Sequence, residues 1–270
     1  MTIYYLPFTS MIIGKSKKEL ERMRVAGRLV ASVLQELRRL VKPGVTTFEL
    51  DAAAEKMIRD AGAIPAFKGY HGFPSSICAS MNEQVVHGFP SPNRLREGDI
   101  LSIDCGVILN GFVGDTAATI PVGRVDDDKL RLIRVAEECL ELAIDQCRPG
   151  RHVGDIGWAV QRHAEASGYS VVREYVGHGI GRRMHEDPQI PNYGSPGTGA
   201  KIKAGYVFAV EPMINMGSHH TKVLNDKWTV VTADGRPSAH VEHTVAITEE
   251  GPQIFTLVSE STALPQETYA

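Results

Sequence analysis

The strongest limit on what this chain can fold into is a duplication inside it. "KPG" at 42–44 returns as "RPG" at 148–150, and "DAG" at 60–62 as "ASG" at 166–168, both 106 residues later. "YHG" at 70–72 returns as "GHG" at 177–179, and "EGDILSID" at 97–104 as "AGYVFAVE" at 204–211, both 107 residues later. An offset this constant over about 60 residues marks a repeated unit, and two copies are too few for a solenoid. Each unit reads helix, helix, loop with His-Gly, hairpin. The expected fold is mixed α/β (α+β): two halves related by a pseudo-twofold axis, their strands forming one curved antiparallel sheet with helices on the outside. A site on such an axis draws side chains from each half, and Asp104 acquires a counterpart in Glu211.

Spacing places the elements. Ser16 and Glu19 stand as in a capping box, and Leu20, Met23, Gly27, Val30, Leu34, Leu37 and Val41 then recur every three or four residues, which predicts one amphipathic helix stopped by "KPG". Thr46 and Glu49 open a second helix in the same way, with Gly62 as its stop. The resulting organisation is an N-terminal extension over 1–15, one domain over 16–257 with halves of about 16–125 and 126–257, and a polar tail over 258–270. The 270 residues carry a formal charge of −3 and no long Lys/Arg run, which argues against nucleic acid as the main ligand. No stretch approaches the roughly 18 consecutive apolar residues of a membrane span. "MTIYYLPFTSMIIGK" lacks the basic start of a signal peptide. The four cysteines show no CxxC spacing and fit reduced thiols. A cytoplasmic monomer is expected.

Against this background "NGFVGD" at 110–115 stands out. Asn110-Gly111 is the dipeptide a type I′ hairpin turn prefers, because both central residues need positive φ. Counting outward, Leu109 faces Phe112 and Asp104 faces Ala117, so Asp115 lies on the face of Asp104 as its diagonal neighbour, within reach of a shared point. Two ionised acids so close in an apolar strand pair repel, and a cation removes the conflict. "SAHVEHTVAIT" (238–248) alternates as a strand that puts His240, Glu242 and Thr244 on one face. With Glu211 from the repeat and His178 from "VGHGIGR", the candidates are four carboxylates and one imidazole. Such an oxygen-rich set suits Mn, Fe, Co or Zn in a shared two-metal site better than a structural zinc site. Taken singly, each residue has an ordinary reading as a strand-edge acid or a loop histidine. The hairpin and the repeat independently bring them together.

Other signals are weaker. "GHGIGR" is not G-x-G-x-x-G and precedes a loop, which argues against nucleotide binding, and "HVEH" is not H-E-x-x-H. "DDD" at 126–128 reads as charge at a helix N-terminus, and His219-His220 as a polar turn.

These same residues carry a resemblance. "GYHGFPSSICASMNEQVVHGFP", "EGDILSIDCGV…GFVGDTA", "VVREYVGHGIGRRMHEDP", "FAVEPM" and "EHTVAIT", in that order, resemble the type I methionine aminopeptidases from about residue 16 to 257. The 33 residues from His178 to Glu211 leave no room for the long insertion of the second type. The resemblance implies the pita-bread fold and two divalent metal ions per chain (Co2+, Mn2+, Fe2+ or Zn2+). It implies that Asp115 and Glu242 bridge both metals, that Asp104 holds one, and that His178 with Glu211 holds the other. Glu211 is then the general base for the attacking water. His185 meets the scissile amide and its tetrahedral intermediate, while His87 contacts the substrate backbone and assists proton transfer. Tyr70, Phe73, Cys78 and Trp228 match positions lining the methionine pocket.

The implied activity is hydrolytic removal of the initiator methionine before a small second residue. The implied partner is the N-terminal methionine of nascent polypeptides, met near the ribosomal exit tunnel. Two positions depart from the common pattern: Met184 stands where some members have Phe, and His240 where many have Gln. Xaa-Pro aminopeptidases and prolidases share the five ligand types behind a separate N-terminal domain, for which a core helix opening at Ser16 leaves no space. A non-catalytic protein of the same fold is the other alternative, and such proteins lose ligands.

Overall fold

The computed structural model describes residues 11–258. Residues 1–10 of the expected extension and 259–270 of the expected tail lie outside the described residues. Among the described residues four α-helices form: α1 (Lys17–Leu40), α2 (Thr47–Asp60), α3 (Asp127–Gln146) and α4 (Val153–Ala166). Both capping boxes are present, with Ser16 and Glu19 bonded reciprocally at α1 and Thr46 and Glu49 at α2. The α1 stripe buries Met23, Gly27, Val30, Leu34 and Leu37. Gly27 is there for space: a Cβ on it would lie 2.7 Å from the Phe255 carbonyl oxygen.

The duplication survives at the level of single hydrogen bonds. α4 repeats α2 residue for residue at an offset of 106. An isolated bridge pairs Thr46 with Arg94 in the first copy and His152 with Lys201 in the second. The Gly44 N–H donates to Leu95 O at 2.8 Å, and the Gly150 N–H to Ile202 O at 3.0 Å, with φ of 92° at both glycines. Each helix pair has its own apolar cluster. Val30, Leu37, Leu50 and Ile58 pack with Ile103 and Ile120, whereas Leu132, Ala136, Ile156 and Val160 pack with Phe208, Val210 and Val245.

One antiparallel sheet of nine strands joins the halves: β1 (Ile64–Pro65), β2 (Ile77–Met81), β3 (Ile100–Leu109), β4 (Phe112–Pro121), β5 (Gly177–Gly179), β6 (Glu186–Ile190), β7 (Val207–Val210), β8 (Glu242–Thr248) and β9 (Gly251–Ile254). The spatial order is β1-β3-β4-β8-β7-β5-β6, with β2 also on β3 and β9 also on β8. The first-half hairpin β3–β4 thus meets the second half along β4–β8. This is the single sheet shared by two halves that the repeat predicts, and it fits the pita-bread fold that the resemblance implies.

Two local expectations differ from the structure. The strand read over 238–248 is broken at Val241: Ser238–His240 pairs with Met213–Asn215 in a small separate sheet, and only Glu242–Thr248 joins the main one. The strand that pairs with it breaks at the same level, between Val210 and Met213. Pro212 has no N–H to continue the ladder, and its carbonyl takes the Val241 N–H at 3.3 Å instead. His178, read in a loop, lies on the short strand β5. The Pro/Gly-rich stretch 187–200 begins in β6 and then packs on α4, where Asp155 Oδ1 accepts the Gly197 N–H at 2.8 Å.

Candidate metal centre

The hairpin delivers the two acids as its turn geometry dictates. Asn110 and Gly111 have φ of 52° and 77°, and Asp104 pairs with Ala117 while Asp115 pairs with Gly106. On the far side of β4, Glu242 also pairs with Ala117. Asp104, Ala117 and Glu242 therefore form one row across three strands, with Asp115 a diagonal step away on the same face. Thr244 Oγ1 fastens the row by accepting the Asp115 N–H at 3.1 Å and donating to the Asp115 carbonyl at 2.7 Å. One carboxylate oxygen from each of Asp104, Asp115 and Glu242 lies within 4.8 Å of the others.

From the second half, β7 and β5 bring Glu211 and His178. His178 pairs with Ala209, two residues before Glu211, so both side chains share that face. His178 Nδ1 lies 2.9 Å from the Gly179 carbonyl oxygen. A carbonyl only accepts, so Nδ1 carries the proton and Nε2 presents a lone pair. That lone pair faces Glu211 Oε1 at 3.5 Å. On the other side Glu211 Oε2 is 3.5 Å from Nε2 of the buried His240.

The electrostatics follow from burial without charge compensation. Burial, and then the neighbouring acids, push the Asp115 and Glu242 carboxyls well above the ordinary range, and burial does the same to Glu211. Asp104 rises to about 7, chiefly through burial, with Glu211 adding and His240 opposing. Burial lowers His178 to about 3 and His87 to about 4, so both are neutral near pH 7. Asp104 Oδ1, Asp115 Oδ1 and Glu242 Oε1 are buried with no hydrogen-bond partner. Orphaned carboxylate oxygens converging on one point beside a neutral imidazole lone pair are the donor set of a divalent cation, and the residues fit one.

A pH dependence follows for the metal-free protein. Above about pH 4 an unfolded chain has lost its carboxyl protons, whereas these buried carboxyls keep theirs, so native stability is lost as pH rises through their native pKa values. The buried neutral histidines act in the opposite direction, but their effect is complete above their unfolded value of about 6.5. Thermal melts of the metal-free protein will therefore fall by several degrees from pH 6.5 to 8.0, at about 2–4 °C per kcal/mol. Saturating Mn2+ will flatten the trend, and a melt that is equally flat without metal contradicts the charge assignment.

The remaining candidates surround this centre. The exposed His185 has its ring 4.3 Å from that of His178, and its Nδ1 lies 2.8 Å from the Tyr70 hydroxyl. The half-buried His87, at φ 59°, packs edge-on against Trp228 at 6.2 Å and Tyr175 at 5.7 Å. Phe73, Cys78, Tyr70 and Trp228 belong to one apolar cluster with Phe67 and Met184. Cys78 sits directly opposite Asp104 on β2, which puts its side chain on the site's face of the sheet. Thr244 lies on the face of Glu242, as the alternation of its strand predicts, and its bonds to Asp115 are what the structure adds; Tyr175 and Phe67 carry no local mark in the sequence.

Residues 21–249 match the model of metallopeptidase family M24. The methionine aminopeptidase of Clostridium perfringens is 52% identical over 248 residues, covering 92% of this chain and all of that protein. Methionine aminopeptidase 1 of Bacillus subtilis is 53% identical over the same length and coverage. The crystal structure of methionine aminopeptidase from Rickettsia prowazekii superposes with a TM-score of 0.91 at 47% identity, over 92% of this chain and all of that one. The prolidase of Pyrococcus horikoshii shares the fold at 20% identity and a TM-score of 0.74, over 92% of this chain and 64% of that one. A matched region of this extent, laid over converging carboxylates, makes this chain a member of metallopeptidase family M24.

Proposed function

We propose that this chain is a metal-dependent methionyl aminopeptidase that removes the N-terminal methionine of nascent polypeptides and prefers a small second residue. The observation that carries this reading is the junction of two features: the orphaned carboxylates of Asp104, Asp115 and Glu242, and the apolar cluster of Tyr70, Phe73, Cys78 and Trp228 that begins one strand away. In this reading residues 16–257 act as one catalytic domain. Asp104, Asp115, His178, Glu211 and Glu242 hold two divalent ions of the Mn, Fe, Co or Zn type. Bound there, such ions polarise the scissile carbonyl and lower the pKa of water.

The chain's own groups do the rest. Glu211 takes a proton from the attacking water and passes it toward the leaving amine. His178 is held in one tautomer by the Gly179 carbonyl, so its Nε2 stays free to bind. His185 meets the scissile amide, with its orientation set by the Tyr70 hydroxyl. His87, walled by Trp228 and Tyr175, contacts the substrate backbone. The cluster takes the thioether side chain, for which aromatic edges and a buried thiol are suitable neighbours. A cytoplasmic monomer working near the ribosomal exit tunnel belongs to the same reading; among the described residues, no helix is long and apolar enough to cross a membrane.

Peptide turnover tests it. Met-Ala-Ser and Met-Gly-Met will be hydrolysed, hydrolysis will cease with a chelator and return with added Mn2+ or Co2+, and Xaa-Pro peptides will stay intact. Preferential cleavage of Xaa-Pro peptides moves the chain to the proline-specific branch of the fold. Failure with both substrate classes in the metal-loaded protein removes the enzymatic reading.

A further inference from the structure

We propose that Lys15, in the segment before α1, is a positioning residue for the turn that carries His185. The proposal rests on the reading of His185 as a group that meets the substrate.

The turn runs from Gly181 to His185, and Glu186 ties it from below. Glu186 Oε1 accepts the Arg182 N–H at 2.9 Å and the Arg183 N–H at 3.2 Å. Its other oxygen, Oε2, receives the Lys15 ammonium at 2.7 Å, and the two side chains are only 6% and 10% exposed. Lys15 is fixed at its own end, where its N–H donates to the Gly205 carbonyl at 2.7 Å and its Nζ to Ile13 O at 3.0 Å. A Cβ on Gly181 would lie 2.6 Å from Glu186 Oε1 and 2.7 Å from Lys15 Cε, so the ion pair is pressed against the turn. From there the chain leads to Met184, buried in the apolar cluster, and to His185, beside His178 and Tyr70.

A buried ion pair that loses one partner leaves an uncompensated charge. Without Lys15, the Glu186 carboxylate turns toward water and abandons the Arg182 and Arg183 amides. The turn then loosens at its base, and His185 loses its setting while every proposed metal ligand keeps its own. Misplacing a group that orients substrate by about 1 Å costs on the order of 10²-fold in rate.

The test uses the full-length, Mn2+-loaded protein and Met-Ala-Ser. Lys15→Met will lower kcat by roughly 10- to 100-fold, leave KM nearly unchanged, and leave Mn2+ affinity by titration calorimetry at the parent value. Lys15→Met/Glu186→Gln will recover most of the rate, because a neutral amide oxygen can stay on the two backbone amides. In a His185→Ala background Lys15→Met will have no further effect. An unchanged kcat, or the same fractional loss in that background, overturns the proposal and leaves Lys15 a purely structural anchor.

If Lys15→Met does not fold, Lys15→Arg carries the same cycle, since it keeps the charge but cannot place it identically. In the metal-free protein the ring 15N signals of His185, assigned by their absence in His185→Ala, will shift in Lys15→Met and return in the double variant. That readout is independent of turnover. A parent protein inactive on Met-Ala-Ser thus sinks the proposed function, whereas unmoved ring signals sink the role of Lys15.

Discussion

Glu211→Gln will reduce turnover of Met-Ala-Ser by about 10³-fold, within the range of roughly 10²–10⁴ that a positioned general base contributes, and will raise the melting temperature of the metal-free protein. The two effects share a cause. Glu211 is one of four acids whose ionised forms burial disfavours, and its charge pushes up the carboxyls of Asp104, Asp115 and Glu242. Gln keeps the shape and an acceptor oxygen but can neither take a proton nor repel its neighbours. The proposed base function is lost while the electrostatic strain of the empty cluster falls. A damaged fold gives the opposite pairing, with lower rate and lower stability. Kinetics and melts on one preparation, with Mn2+ affinity read separately because Glu211 also belongs to the proposed ligand set, distinguish them. A variant with near-parent rates refutes the base assignment. One that melts lower without metal refutes the account of the cluster as a site of mutual repulsion.

Much of this centre was legible because its parts are set by short-range rules. Asn110-Gly111 forces both φ values positive, and the type I′ turn then fixes the register that makes Asp104 and Asp115 diagonal neighbours. The repeat supplied Glu211, since an offset of 107 carries Asp104 onto it. What was not legible depends on distant parts of the chain. Nothing around His240 announces that its strand ends there, because the cause is Pro212, about thirty positions earlier. Nothing near Lys15 points to Glu186, 171 residues away. The repeat pairs His71 with His178, yet the two differ in structure: His71 is held at φ 48° in a 3-10 turn against Tyr70, while its counterpart lies on a buried strand. Duplication preserved the helices and their anchoring bonds but not the conformation of the segments that carry these two histidines.

Ala117→Ile will abolish Mn2+ binding, with at least a 100-fold loss of affinity by calorimetry, although it alters none of the proposed ligands. Ala117 pairs with Asp104 on one side and with Glu242 on the other, and it is 5% exposed. Its methyl group points to the same face as the three carboxylates, so it forms the floor beneath the point on which they converge. A β-branched side chain suits the strand, and its added carbons have only the space among the carboxylates to enter. Extra methylenes in a packed interior cost about 1–3 kcal/mol. Here that cost is offset in the metal-free state, because the new apolar group separates acids that burial already holds protonated. The metal-bound state gains no such offset, since the cation and the side chain compete for one volume. The melt without metal will therefore move little while the stabilisation by Mn2+ disappears. Ala117→Val will show a smaller loss and Ala117→Gly almost none, giving a series graded by volume. If Ala117→Ile binds Mn2+ as the parent does, the cation lies elsewhere, and the row from Asp104 through Ala117 to Glu242 is only a buried acid pair on a strand.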